Sequence, residues 1–342
     1  MIKRILVATA VLLTLVAVIV FFLGTHWQRT EFGKLDFKAA ILLKMRSALQ
    51  EKAAPKVARL RADEASRGKS LQEHPMAVAR IRDMEMPGGA GAIPLRVYTP
   101  SGNAPFPILL FFHGGGWVMG DLDSADSACR FLANTVLCVV VSVDYRLAPE
   151  HPFPAAIDDC YAALVWVHAN GKTLDGDPGR IGVAGMSAGA NLAAAAALMA
   201  RDKAGPRISC QALAYPAVNL SALDTPSFRH FAEGYGLTSE MVDFFIRCYL
   251  FDETAGKNPY ASPLLAGNFS KLPPAIVITA GFDVLHDEGR EYAERLNAAG
   301  VNTVYSDYPT MIHGFLNMGK VFPEANAALS EIAAFAARTL RD

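Results

Sequence analysis

The pentapeptide Gly185-Met186-Ser187-Ala188-Gly189 separates a strand-like run at residues 180–184 from a helix-like, alanine-rich run at residues 191–197. A serine on so sharp a strand-to-helix turn adopts a strained backbone conformation that exposes its hydroxyl, and the flanking glycines leave room for the turn. The motif therefore predicts a nucleophile elbow in which Ser187 is the nucleophile. Taken alone, it leaves open a simple tight turn with a capping serine.

Strand-like and helix-like patterns alternate along the rest of the chain. Short runs rich in β-branched and aromatic residues predict strands at residues 80–86, 93–98, 108–112, 136–143, 180–184, 208–215, 275–279 and 303–308. Longer amphipathic or alanine-rich runs predict helices at residues 31–67, 155–169, 191–197, 239–249, 287–299 and 323–340. The first two strands read as an antiparallel hairpin. The later alternation predicts right-handed crossovers and a mostly parallel central sheet of about eight strands flanked by helices.

Composition excludes several classes of function. The 342 residues carry 32 basic and 33 acidic side chains, a net charge of −1, so there is no basic surface to support nucleic-acid binding. Cysteines occur without metal-like spacing and are interpreted mainly as small buried hydrophobes, with one disulfide left open; they are Cys129, Cys138, Cys160, Cys210 and Cys248. No metal site is expected.

The N-terminus carries a membrane-like pattern. Lys3 and Arg4 precede an uncharged run at residues 5–24, which as a helix would match the roughly 30 Å hydrocarbon core of a bilayer. The pattern predicts that residues 1–24 form an uncleaved anchor. The catalytic domain would then be membrane-anchored and translocated, in a periplasm or lumen. A cleaved signal segment followed by secretion is the alternative.

A glycine-rich loop follows the predicted strand at residues 108–112 and reads His113-Gly114-Gly115-Gly116-Trp117. Three consecutive glycines remove every side chain, so that backbone N–H groups can approach and surround an anion. The loop therefore predicts a cradle for an oxyanion, with a flexible hinge as the alternative. A phosphate loop is disfavoured because the Gly-Lys-Ser/Thr ending is missing.

A third motif, DYRLAPEHPFPAA at residues 144–156, lies between the glycine-rich loop and the elbow pentapeptide. Together they resemble the hormone-sensitive-lipase-like family of the α/β hydrolases, and the likeness extends over residues 80–340. The resemblance implies an α/β-hydrolase fold with a helical cap. The cap would consist of an N-terminal segment, residues 25–75, and an insertion at about residues 220–265 within a catalytic domain at residues 76–342.

The resemblance also implies the partners of the serine. Asp283 lies in GFDVLHDEG at residues 281–289 and matches the family's acid, and His313 lies in MIHGF at residues 311–315 and matches its base. The order serine, acid, histidine is the one this fold uses. In that chemistry the histidine removes the serine proton and the acid fixes and stabilises the imidazole.

The remaining predicted site residues support this chemistry. No metal or organic cofactor is required. Asp287 and Glu288 are interpreted as carboxylates favoured in the first turn of a helix. The oxyanion donors are predicted to be the N–H groups of Gly115, Gly116 and Ala188, with Gly114 as an alternate, and the structural supports to be His113, Arg146 and Glu150.

Two residues depart from the family's commoner elbow, G-D-S-A-G-G: Met186 precedes the serine and Ala190 follows the second glycine. Methionine cannot make the hydrogen bonds of a carboxylate, so the elbow must be supported differently. The expected function is that of a serine carboxylesterase acting on short- to medium-chain carboxylic esters. An amidase or deacetylase with the same machinery, and a non-catalytic small-molecule receptor, are the alternatives. A homodimer is left open.

Overall fold

An eight-stranded sheet forms the centre of the computed structural model, which describes Thr9, Thr14, Val18 and residues 20–49, 55–71 and 75–341. A separate two-stranded hairpin precedes it. The strands are β1 (Arg29–Thr30), β2 (Gly33–Lys34), β3 (Arg80–Gly88), β4 (Gly91–Thr99), β5 (Phe106–Phe112), β6 (Val139–Val143), β7 (Gly176–Met186), β8 (Cys210–Ala214), β9 (Ala275–Phe282) and β10 (Thr303–Ile312).

The strand order across the sheet is β10-β9-β8-β7-β5-β6-β4-β3. Neighbours from β10 to β6 are parallel, whereas β3 with β4 and β4 with β6 are antiparallel. Phe112 lies beside Gly185 across β5 and β7, so the loops that follow these two strands begin side by side. Ligands of open parallel sheets bind at this carboxyl edge.

Helices flank the sheet. They are α1 (Phe37–Leu49), α2 (Val57–Leu71), α3 (Asp126–Val136), α4 (Ala155–Asn170), α5 (Ala188–Asp202), α6 (Pro226–His230), α7 (Ser239–Tyr249), α8 (His286–Ala298) and α9 (Pro323–Thr339). Helix α3 packs against α9, and α4 packs against α5. From residue 188 to residue 200 every residue of α5 is buried, because its small alanines let the helix lie close against β5, β7 and β8. The predicted α/β-hydrolase sheet of about eight strands is confirmed.

Two local predictions differ from the structure. The helix predicted over residues 31–67 is replaced by the β1–β2 hairpin and by α1 and α2, with residues 50–54 outside the described part of the chain. The strand predicted from Val136 begins only at Val139, because Val136 ends α3 and Leu137 caps that helix in the left-handed conformation, with φ 57°. Helix α3 itself was not predicted from the sequence.

The structure overturns the prediction of a membrane-anchored chain. Most of residues 5–24 lie outside the described residues, and among the described ones no helix is both long and apolar enough to cross a bilayer. Among the described residues of this run Gly24 is buried, and the Phe21 ring lies 6.1 Å from that of Phe37 on α1 although the Phe21 side chain is 58% exposed.

The N-terminal segment and the insertion meet each other outside the sheet. Phe32, between β1 and β2, stacks on His230 at the end of α6 with ring centroids 4.6 Å apart, and meets Phe231 edge-to-face at 5.4 Å. Helices α2 and α7 both contribute residues to a cavity at the carboxyl edge of the sheet.

Candidate active site

Ser187 occupies a strained turn between β7 and α5. Its backbone has φ 55° and ψ −119°, a conformation that residues other than glycine rarely adopt, and its N–H donates to Ala214 O at 2.8 Å. A Cβ atom on Gly189 would lie 2.0 Å from Phe112 O, so only glycine lets α5 approach β5 this closely. The elbow therefore forms as its sequence motif predicts, and the Ser187 side chain lines the cavity.

His313 lies between Ser187 and Asp283 and is hydrogen-bonded to both. Its Nε2 is 3.0 Å from Ser187 Oγ, and its Nδ1 is 2.6 Å from Asp283 Oδ2. With Nδ1 protonated, the ring donates to the carboxylate and presents the Nε2 lone pair to the serine hydroxyl. Asp283 Oδ1 also accepts the N–H of Leu285 at 3.0 Å, which fixes the carboxylate.

The three groups differ in their contact with solvent. The Asp283 side chain is 0% exposed and the His313 side chain 12% exposed, while Ser187 opens into the cavity. The Tyr215 ring packs against the imidazole with centroids 4.7 Å apart. A buried carboxylate behind an imidazole stabilises the imidazolium when a proton arrives. The arrangement can therefore move a proton from a hydroxyl to His313 and onward.

The glycine loop follows β5 and faces the elbow. Gly115 and Gly116 have φ angles of 120° and 61°, and a Cβ atom on Gly116 would lie 2.4 Å from the Phe245 ring. Gly114, Gly115, Gly116 and Ala188 line the same cavity as Ser187 and His313, so the predicted oxyanion donors and the predicted nucleophile are brought together.

That cavity has a volume of about 220 Å³. Apolar side chains form much of its wall, and among them are Met186, Tyr215, Leu237, Met241, Val242 and Phe245. A small number of polar groups in a mainly apolar cavity is typical of small-molecule sites.

His113 contributes structure to the glycine loop. It is 1% exposed, and its Nδ1–H donates to Gly114 O at 2.8 Å. Its ring stacks on Tyr145 with centroids 4.2 Å apart, and the Tyr145 hydroxyl donates to His113 O at 2.8 Å. Burial lowers the pKa of His113 to about 4, so the ring is neutral at pH 7.

The other two predicted supports have partners that sequence reasoning missed. Arg146 pairs bidentately with Asp159 of α4, which is 2% exposed, through its Nε and a terminal nitrogen, both at 2.8 Å. Glu150 pairs with Arg61 of α2 at 2.8 and 2.9 Å. Arg61 lies 89 residues before Glu150, and no local signal in the sequence identifies it.

Glu64 is a further cavity residue that the sequence did not indicate. It lies one turn after Arg61 on α2 and lines the cavity. Burial and the nearby charge of Asp121 raise the pKa of Glu64 to about 7, against the lowering effect of the Gly120 backbone.

Asp287 and Glu288 do more than occupy the first turn of α8. Asp287 Oδ2 accepts the N–H of Ser227 at 2.8 Å, and Glu288 Oε1 accepts the N–H of Val218 at 2.6 Å. Both carboxyl groups therefore tie α8 to the chain that follows β8. Burial raises the pKa of Glu288 to about 8.

Neither a metal site nor a disulfide is present in the described part of the chain. No group of three or more histidine, cysteine, aspartate or glutamate side chains there could hold a metal ion. All five cysteines are free, and burial raises the thiol pKa of each.

The sheet topology, with a serine at the turn that follows β7, defines the class of protein as an α/β hydrolase. A family model described as alpha/beta hydrolase fold matches residues 109–317, more than half of the chain. The chain belongs to the hormone-sensitive-lipase-like family of the α/β hydrolases.

Similar proteins carry esterase names. Carboxylic ester hydrolase LipN of Mycobacterium tuberculosis is 44% identical over 258 residues, which are 74% of this chain and 68% of LipN. Carboxylesterase NlhH of the same species is 45% identical over 244 residues, 70% of this chain and 76% of NlhH. A solved hyperthermophilic esterase from Pyrobaculum calidifontis has a TM-score of 0.84 and 41% identity, covering 89% of this chain and 98% of its own.

Proposed function

We propose that the protein is a serine carboxylesterase that hydrolyses short- to medium-chain carboxylic esters through an acyl-enzyme. The observation that carries the proposal is the hydrogen-bonded series Ser187, His313 and Asp283, which opens into a cavity beside a glycine loop. The names of the similar proteins support carboxylic ester hydrolysis as the activity.

In the first step, Ser187 Oγ attacks the acyl carbon of the ester while His313 Nε2 accepts its proton. A serine hydroxyl is too weak an acid to ionise at neutral pH, so the attack needs this base. Asp283 holds the Nδ1–H tautomer and stabilises the imidazolium. The carbonyl π electrons move to the oxygen and form the tetrahedral oxyanion.

The N–H groups of Gly115, Gly116 and Ala188 would bind that oxyanion, with Gly114 as an alternate donor. Loss of one such donor typically costs about 3–4 kcal/mol of transition-state stabilisation. When the intermediate collapses, the C–O bond to the alcohol breaks and His313 returns its proton to the leaving oxygen. Water then attacks the acyl-enzyme by the same route, and the carboxylic acid leaves.

The domain division is proposed on the same basis. Residues 25–75 and about 220–265 would form a cap over the catalytic domain at residues 76–342. Arg46 and Glu64 from the first segment and Met241 and Phe245 from the second line the cavity, which supports a cap that limits the acyl chain.

Ester hydrolysis by purified protein tests the proposal. We expect turnover of p-nitrophenyl butyrate and labelling by a fluorophosphonate probe. Ser187→Ala should reduce kcat by about 10⁴-fold or more and abolish labelling, because no other group can form the acyl-enzyme. Ser330→Ala, on the exposed side of α9, is the matched control and should behave as the wild type.

Two outcomes would favour the alternatives. A higher kcat/KM on an anilide than on the matched ester would indicate an amidase. Ligand binding by a wild-type protein that neither hydrolyses esters nor reacts with the probe would indicate a receptor, and equal rates for the wild type and Ser187→Ala would contradict the proposal.

A further inference from the structure

The glycine loop, defined here as residues 113–120, has an unusual backbone. Four of its residues have left-handed φ angles: 120° at Gly115, 61° at Gly116, 60° at Trp117 and 98° at Gly120. Trp117 adopts this region at a steric cost that glycine avoids. A loop of this shape persists only where surrounding contacts over-determine it.

One side of the loop is held through Trp117. Its indole stacks nearly parallel to the Tyr249 ring at the end of α7, with centroids 4.6 Å apart. Trp117 O accepts the N–H of Ala148 at 2.8 Å. These contacts fix the middle of the loop from the insertion and from the stretch at residues 144–156.

The other side of the loop is held by α2. Arg61 Nε donates to Val118 O at 2.8 Å. Residues three apart on a helix face the same way, and Glu64, one turn further along this face of α2, lines the cavity beside the glycines.

Arg61 also joins a third segment to this contact. A terminal nitrogen donates to Ala148 O at 3.1 Å, and both terminal nitrogens reach the carboxylate of Glu150. The Arg61 and Glu150 side chains are 35% and 54% exposed, so their charge attraction contributes little. The directed hydrogen bonds to Val118 and Ala148 are what relate α2 to the loop.

We propose that Arg61 is a positioning residue that holds the glycine loop in the shape its oxyanion donors require. The inference rests on the proposed function. Because the donors act on charge that develops in the transition state, disturbing the loop lowers kcat and leaves KM nearly unchanged. The contact between α2 and the glycine loop therefore supports the oxyanion site, although α2 itself touches no reacting atom.

Steady-state kinetics of full-length variants test the role of Arg61, with kcat normalised to the active sites that a fluorophosphonate titrates. We expect Arg61→Ala to lower kcat by about 10- to 100-fold, less than the 10²- to 10³-fold typical for deleting a donor outright. KM should change less than about threefold. Arg61→Lys keeps the charge but cannot span Val118 and Ala148, and should also lower kcat. Arg247→Ala, which removes an exposed arginine paired with Asp243 on α7, is the matched control.

A transition-state analogue gives a second readout for Arg61. Affinity for a trifluoromethyl ketone, which forms a tetrahedral oxyanion adduct with serine, should fall in parallel with kcat in every weakened variant.

The outcomes separate this inference from the proposed function. A wild type without hydrolysis or labelling contradicts the proposed function itself. An active wild type whose Arg61→Ala and Arg61→Lys variants keep their kcat per titrated site overturns the positioning role. A rise in KM at unchanged kcat also overturns it, because that pattern indicates substrate binding.

Discussion

At the scale of single residues, backbone hydrogen bonds support this elbow at Met186, the position where an aspartate is common in the family. Its backbone continues β7 and pairs with Ala214 of β8, and the next N–H, that of Ser187, donates to Ala214 O. The Met186 side chain is 3% exposed and lines the cavity. The backbone therefore fixes the turn, and the methionine adds apolar wall beside the serine.

The prediction for a single residue concerns the stability of a Gly189 variant. We expect Gly189→Ala to destabilise the fold by about 1–3 kcal/mol or more, because its methyl group would overlap Phe112 O. Thermal unfolding measures the change. Gly267→Ala is the control: a Cβ atom there has nothing within 4 Å, so its melting temperature should stay near that of the wild type. Equal melting temperatures for the two variants would contradict the close-contact argument.

At the scale of elements, the sequence predicted what short-range patterns determine. The strands that end in the glycine loop and the elbow follow from local composition and motif, whereas Asp283 and His313 follow from the resemblance to the family. The division of residues 31–67 into a hairpin and two helices was missed, as were Arg61 and Asp159. These depend on contacts between segments distant in sequence, and a single sequence carries no local signal for them.

Glu288 gives the prediction for an element, since it holds α8 to Val218 and Asn219. Its pKa is about 8 in the folded protein, against an ordinary value of 4.5, because burial disfavours the charged form. Between these values the folded state binds more protons than the unfolded state, so stability present below pH 4.5 is lost as pH rises towards 8.

Glu288→Gln keeps an acceptor oxygen and cannot ionise. Its melting temperature relative to the wild type should therefore increase from pH 5 to pH 8, with each kcal/mol corresponding to about 2–4 °C. Melting curves across this range provide the measurement. A difference that stays constant or shrinks would show that Glu288 titrates normally.

At the scale of the whole molecule, three parts of the chain line the cavity. The loops after β5, β7 and β10 supply the glycines, Ser187 and His313, the N-terminal helices supply Arg46 and Glu64, and α7 supplies Met241 and Phe245. Under the proposed function, we expect substrate preference to be set by elements that contribute nothing to the central sheet.

Met241→Ala tests whether α7 limits the length of the acyl chain. Removing the side chain lengthens the cavity, and we expect the ratio of kcat/KM for p-nitrophenyl octanoate to that for the butyrate to rise about tenfold. Ratios measured with both esters cancel changes in enzyme concentration. Met76→Ala, which removes a methionine that is 45% exposed, should leave the ratio as in the wild type. An unchanged ratio in Met241→Ala would exclude α7 from chain-length selection.

The burial of helix α5 affects the order in which parts of the protein unfold on heating. Every residue from Ala188 to Ala200 is buried, so its amide hydrogens exchange with deuterium only when the domain opens as a whole. All the described side chains from Val57 to Glu64 on α2 remain at least partly exposed, so we expect that helix to open in local fluctuations of much lower free energy. On warming, we therefore expect Ser187 to stay rigid after the outer helix has begun to detach, so that loss of the proposed activity precedes melting.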